Sequence, residues 1–159
     1  MKLATLTLAA TLVTGAAFAA EIAPSDVQFD EYGAVDQSLT GTPGNPEEGE
    51  KIMTNRGLGN CVACHEVSAL DYAAFQGNVG PSLDGVADRW NEAELRGILV
   101  NAKKTYDGTV MPSYYRVDGF VRPGNAYTGK AADDSFGPLL TAQQVEDVVA
   151  FLGTLEYEE

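Results

Sequence analysis

Apolar residues recur with helical spacing in three separated stretches of the chain, and a capping signal stands before each. Asn45-Pro46-Glu47-Glu48 combines a capping amide, a proline at the first helical position and acids in the first turn. It predicts a helix to about Arg56, ending at Gly57, with Gly49, Ile52 and Met53 on one face. Asn91 with Glu94 forms a capping box before Leu95, Ile98 and Leu99. Thr141 with Gln144 forms another before Val145, Val148, Val149, Leu152 and Leu155. Elsewhere the pattern breaks down. Residues 20–45 are rich in turn formers (Pro24, Gly33, Gly41, Pro43, Gly44) and predict an irregular arm, with a short strand near Val27 to Tyr32. A glycine-rich loop spans Gly77 to Gly85, and Tyr106 to Phe136 is again irregular. The fold predicted is mostly α: three main helices with long loops. Those loops are too long for the connections of a compact bundle, and a large buried prosthetic group would hold them.

The first 19 residues stand apart. Met1-Lys2 is a short positive start, Leu3 to Val13 is apolar, and Ala17-Phe18-Ala19 places small residues where a signal peptidase reads them. A removable secretory signal, cut before Ala20, fits better than a retained anchor, because the apolar run is too short to span a bilayer. The domains expected are therefore a signal at 1–19, the arm at 20–45 and a folded domain at 46–159. An exported, periplasmic protein follows.

Net charge is −13 at pH 7, and loss of Lys2 with the signal makes it −14. Such acidity disfavours nucleic acid and anionic membranes as partners and keeps the chain soluble by self-repulsion.

Two cysteines in an exported protein suggest a disulfide, but here they stand in Cys61-Val62-Ala63-Cys64-His65. In C-x-x-C-H the two thiols can add to the two vinyl groups of a haem, leaving the adjacent imidazole under the iron. A redox-active dithiol is the main alternative, and it would want a strand before it and a βα context. A zinc site would want more ligands than one His and two Cys. The single histidine makes His65 the proximal ligand. For the distal ligand, Met53 lies in the helix leading into the motif and reads as core packing. Met111 is 46 residues beyond His65 in an irregular stretch, and Pro112 stiffens its loop. Lys103 or Lys104 could serve instead. His/Met ligation closes both axial positions, raises the potential and suits electron transfer over substrate chemistry. Pro81, after Gly80, is expected to offer its carbonyl to the other imidazole nitrogen. Arg89 and Trp90 are candidates for the haem propionates, and Tyr106, Tyr114 and Tyr115 for the pocket wall.

The order helix, C-x-x-C-H, Gly-Pro loop, middle helix, Met loop and closing Val148-Val149-Ala150-Phe151-Leu152 resembles the class I cytochromes c over residues 46–158. More narrowly, three stretches resemble the SoxX family: Gly80-Pro81-Ser82-Leu83-Asp84-Gly85-Val86-Ala87, Glu92-Ala93-Glu94-Leu95-Arg96-Gly97, and Met111-Pro112-Ser113-Tyr114-Tyr115-Arg116-Val117. Ser38-Leu39-Thr40-Gly41 also fits. The resemblance implies one covalent haem c and a heterodimer with a larger c-type cytochrome, SoxA. It implies a complex acting as L-cysteine S-thiosulfotransferase, which couples thiosulfate oxidatively to a cysteine of the carrier protein SoxYZ. The catalytic cysteine would belong to the partner subunit, and this chain has no third Cys. The small subunit would pass the electrons to a downstream cytochrome. A free-standing electron shuttle would use the same fold, and an enzyme or sensor would require Met111 not to bind. The arm 20–45 and the loop 116–140 exceed what a lone cytochrome needs and are expected to pack against the partner.

Overall fold

A computed structural model describes residues 20–124, 128–133 and 135–157. The expected signal at 1–19 and its cleavage point lie outside or at the border of these residues. Three α-helices form among them: α1 (Pro46–Thr54), α2 (Glu92–Asn101) and α3 (Ala142–Leu152). Short 3-10 turns lie at Pro24–Asp26, Cys61–Ala63, Ser68–Leu70, Val86–Asp88 and Ala102–Lys104. The described residues hold no strand, only a single bridge between Gly124 and Ala131.

Local chemistry starts each helix where expected. The Asn45 side chain accepts from the Glu47 and Glu48 N–H groups at 2.9 and 3.2 Å, satisfying donors the first turn cannot pair internally. Capping boxes close on both α2 and α3. α1 stops at Thr54, two residues short of the predicted end, because Asn55 leaves the helical conformation while its N–H still bonds back to Lys51 and Ile52.

α1 and α3 cross at Gly49, where a Cβ would come within 2.1 Å of the Asp147 carbonyl. Ile52 and Met53 of α1 meet Val145, Val148, Val149 and Leu152 of α3 in the core. The contact admits no methyl group, so Gly49→Ala is expected to cost about 1–3 kcal/mol through overpacking. Thermal melting followed by circular dichroism measures this; an unshifted midpoint would mean that the helices slide apart freely.

The arm departs from expectation. Val27 to Tyr32 forms no strand: the Asp30 carboxylate accepts from the Tyr32 and Ala34 N–H groups, both at 2.8 Å, and bends the chain instead. Nor is the arm spare. Val35 and Leu39 are completely buried, and Val27 joins them in the same core as the helices. The Ile22 N–H bonds to the Leu39 carbonyl, and the Val35 N–H to the Ala93 carbonyl at the start of α2. The Tyr115 hydroxyl donates to the Ile22 carbonyl at 2.7 Å.

A buried ion pair locks these layers together. Arg96 of α2 donates through Nε and Nη2 to the two carboxylate oxygens of Glu146 of α3, at 2.9 and 3.0 Å. Its Nη1 reaches the Val35 carbonyl of the arm at 2.9 Å, and Nη2 also pairs with Glu92. Glu146 in turn accepts the Leu39 N–H at 2.7 Å. The arm is thus a structural layer of the domain.

Candidate haem-attachment site

Asn60, in left-handed backbone conformation, turns the chain after α1 into the 3-10 turn that carries Cys61. The N–H groups of Cys64 and His65 both return to the Cys61 carbonyl at 3.0 Å, so one tight turn presents both thiols and the imidazole. Neither cysteine is in a disulfide; Cys61 is buried and Cys64 exposed. Burial pushes the Cys61 thiol up to about 11. A redox-active dithiol would want a strand before it and a βα context, and the described residues form no strand. Among the described residues no group of three or more His, Cys, Asp and Glu is arranged to hold a metal ion, which disfavours a zinc site.

His65 is held as a haem ligand would need to be. Its Nδ1 lies 2.7 Å from the Pro81 carbonyl, and a carbonyl can only accept, so Nδ1 carries the proton. Nε2 keeps its lone pair and is the atom left for a metal. Gly80 lies flat against the ring: a Cβ there would stand 2.2 Å from Cε1. The residues present fit a haem: two free thiols, an oriented imidazole of the correct tautomer, and a glycine cradle beside the ring.

The loop bearing Pro81 is braced from several sides. The Leu83 N–H bonds to the Glu66 carbonyl at 2.9 Å. The Asp84 carboxylate accepts from the Ser68 N–H and hydroxyl at 2.8 and 2.7 Å. Arg89 donates to the Asp84 and Ser82 carbonyls at 2.7 and 3.1 Å and to the Tyr157 hydroxyl at 3.2 Å. Its guanidinium is thus engaged with the backbone of the proximal loop. Trp90 packs against the core, edge-to-face with Tyr106 at 6.2 Å between ring centres.

The Ser68 hydroxyl and N–H hold the Asp84 carboxyl below its ordinary range. A carboxylate with a depressed folded-state pKa stabilises the fold above its unfolded value of about 3.9, and that contribution fades as pH falls through the folded value. Asp84→Asn is expected to be less stable than the parent at neutral pH, with the gap closing as acid is added below about pH 4. Denaturant titrations at several pH values test this; a gap that does not shrink in acid would mean that the carboxylate's charge is not what holds the loop.

Met111 is half-buried against the core on a loop stitched to α2. The Tyr114 and Tyr115 N–H groups bond to the Leu99 and Val100 carbonyls at 3.0 and 3.3 Å, and the Ser113 hydroxyl reaches Asn101 at 2.8 Å. The Lys103 ammonium donates to the Met111 carbonyl, and Lys104 lies over the Phe29 ring. Met53 is completely buried in the α1–α3 core. The Tyr114 hydroxyl donates to the Gly59 carbonyl at 3.0 Å, tying the Met loop to the segment entering the C-x-x-C-H turn. Burial first, then the neighbouring Cys61, raises the Tyr114 pKa, so the phenol stays protonated and keeps this bond. From sequence Tyr114 reads only as pocket wall; nothing local signals a partner 55 residues away.

This is the fold and the attachment turn of a c-type cytochrome. The cytochrome c family model matches residues 46–156, and the chain belongs to the cytochrome c family. Within that family it groups with SoxX: it is similar to a chain of SoxXA from P. pantotrophus, at 59% identity and a TM-score of 0.82. The match covers 86% of this chain and 99% of that one. No match was found among curated protein sequences. The cofactor is haem c, bound covalently.

Proposed function

We propose that the chain is the electron-relay subunit of a SoxAX-type complex, working beside a larger c-type cytochrome of the SoxA kind. The observation that carries this reading is likeness to a chain solved as part of SoxXA, over 99% of that chain's length. The same observation favours the complex over a free-standing shuttle.

In this reading Cys61 and Cys64 would hold the haem through their sulfurs, His65 would bind its iron through Nε2, and Met111 would supply a second ligand. When bound, the haem supplies a one-electron couple at iron. The chain's own residues set the conditions for that couple. The Pro81 carbonyl fixes the His65 tautomer and makes the ring a better donor. Arg89 and Asp84 hold the Pro81 loop from behind. The stitched loop 109–115 would present the Met111 thioether to the iron in place of a substrate. Arg89 and Trp90 would face the propionates, as read from sequence, while Arg89 also braces the loop and Trp90 packs against the core.

The chain contributes no catalytic residue. On the partner, thiosulfate is joined to a thiolate of a SoxYZ-type carrier. That step forms one sulfur–sulfur bond and releases two electrons, which a single-haem subunit passes on one at a time to a downstream cytochrome. This is the L-cysteine S-thiosulfotransferase activity of the assembled complex. The setting is the periplasm, reached through the signal at 1–19. No helix among the described residues is long and apolar enough to cross a membrane.

Purification of the tagged chain from the periplasmic fraction, followed by mass spectrometry, tests the reading. A larger haem protein is expected to accompany it in equal amount, and the chain is expected to weigh one haem more than its processed sequence. Recovery of the haem-loaded chain alone would favour the free shuttle.

A further inference from the structure

Phe75 is held out into solvent in a conformation that a bulky side chain avoids. Its φ is +63°, and Asn60 is the only other non-glycine among the described residues with positive φ. The residue is 92% exposed. The loop around it is firmly fixed. The Gln76 side chain accepts the Val67 N–H at 2.6 Å and donates to the Leu70 carbonyl at 2.7 Å. The Gly77 N–H bonds to the Val62 carbonyl and the Gly80 N–H to the Cys64 carbonyl, both at 2.8 Å. A Cβ on Gly77 would stand 2.1 Å from the Ala63 carbonyl. The loop therefore lies directly on the haem-attachment turn and displays Phe75 beside it. Tyr72, three residues before it, and Val79, four after it, are also largely exposed, with the Tyr72 hydroxyl anchored on Glu50 at 2.5 Å.

Strain and exposure both oppose folding, and such combinations collect at functional surfaces. The loop's own charge is acidic: between Arg56 and Arg89 the sequence has no Lys or Arg but carries Glu66, Asp71, Asp84 and Asp88, and the whole chain is at −13. An aromatic centre with an acidic border beside the exposed Cys64 matches a protein with an apolar contact and a basic border. A second copy of this acidic chain would be repelled. Three apolar side chains make a small contact, of the size used by transient redox encounters and far below a permanent subunit interface.

Building on the electron-relay reading, we propose that Tyr72, Phe75 and Val79 form the docking surface for a basic, one-electron-accepting protein. The reduced chain gives up one electron there and is oxidised by one, and the acceptor is reduced by one.

The test uses the haem-loaded protein as purified, with its larger subunit where that accompanies it. Stopped-flow oxidation is measured with two probes: an oxidised cytochrome c of strongly basic net charge, and the small complex tris(phenanthroline)cobalt(III). Phe75→Gly is expected to slow oxidation by the basic cytochrome roughly tenfold, the loss typical of an aromatic at the centre of a contact. Oxidation by the cobalt complex should stay unchanged, as should the midpoint potential. The melting temperature should hold or rise, since glycine accepts the positive φ that phenylalanine resists. A residue with only a structural role would give the reverse pattern. The parent rate should fall with added salt, and Asp71→Lys should flatten that dependence. An unchanged rate with the basic cytochrome in Phe75→Gly would overturn the proposal. So would release of the larger subunit by Phe75→Gly, which would assign the patch to the permanent interface. Recovery of the chain without a larger subunit would bear on the proposed complex alone, because the rate comparison can be run on either form.

Discussion

Met111→Ala is expected to abolish the far-red sulfur-to-iron absorption band of the oxidised protein and to lower its reduction potential markedly. On the proposed ligation, the thioether of Met111 favours the reduced iron, and its removal forfeits that preference. Axial ligands spread haem potentials over roughly 0.8 V, and loss of one of the two is expected to move the couple by a sizeable part of that range. The vacated position should then take up added imidazole or cyanide. Met53→Leu is the matched control: Met53 is fully buried between α1 and α3, so its loss should leave the band in place at a small cost in stability. The Lys103 ammonium already donates to the Met111 carbonyl, which places it on the loop's backbone. If the unsubstituted protein lacks the band, or if it survives in Met111→Ala, the ligand is not Met111.

The second large effect concerns Arg96. Its guanidinium is 2% exposed and serves α3, the arm and α2 at once through Glu146, Val35 and Glu92. Arg96→Ala would leave the Glu146 carboxylate buried with only the Leu39 N–H for company. Breaking one side of a buried pair costs about 3–5 kcal/mol, a large share of the roughly 5–15 kcal/mol that holds a domain together. A fall in melting temperature on the order of 10 °C is expected. Arg96→Ala/Glu146→Ala should recover part of it, because no lone charge is then buried, but the Val35 carbonyl and Leu39 N–H stay unpaired. A single variant melting with the parent would show that water reaches Glu146 and that the pair is not a lock.

The helices and the attachment turn were legible because their signals are local. Asn45, Asn91 and Thr141 cap within three residues of themselves, and Cys61, Cys64 and His65 act within one turn. Pro81 sits 16 residues from His65, yet its carbonyl was expected there from its place after Gly80 and was found 2.7 Å from the ring. The arm was misjudged for a physical reason. Val27, Val35 and Leu39 bury themselves singly, so no periodicity marks them. Arg96 reads as an exposed charge in a helix because the partner that permits its burial lies 50 residues away. Arg89, read toward the propionates, also donates to the carbonyls of Ser82 and Asp84, a role its place in the sequence did not announce. No rule of spacing reports which acceptor is nearest once the loop has folded back.

The bond from the Tyr114 hydroxyl to the Gly59 carbonyl joins the two halves of the site, one leading into Cys61 and the other leading out of Met111. A centre that only exchanges electrons is fastest when its surrounding atoms hardly move between the two charge states, since each displacement adds to the barrier. On the proposed ligation this phenol fastens the two ligand-bearing segments to one another. It is expected to limit their drift as the charge changes, and so to lower the reorganisation energy of each electron that enters or leaves.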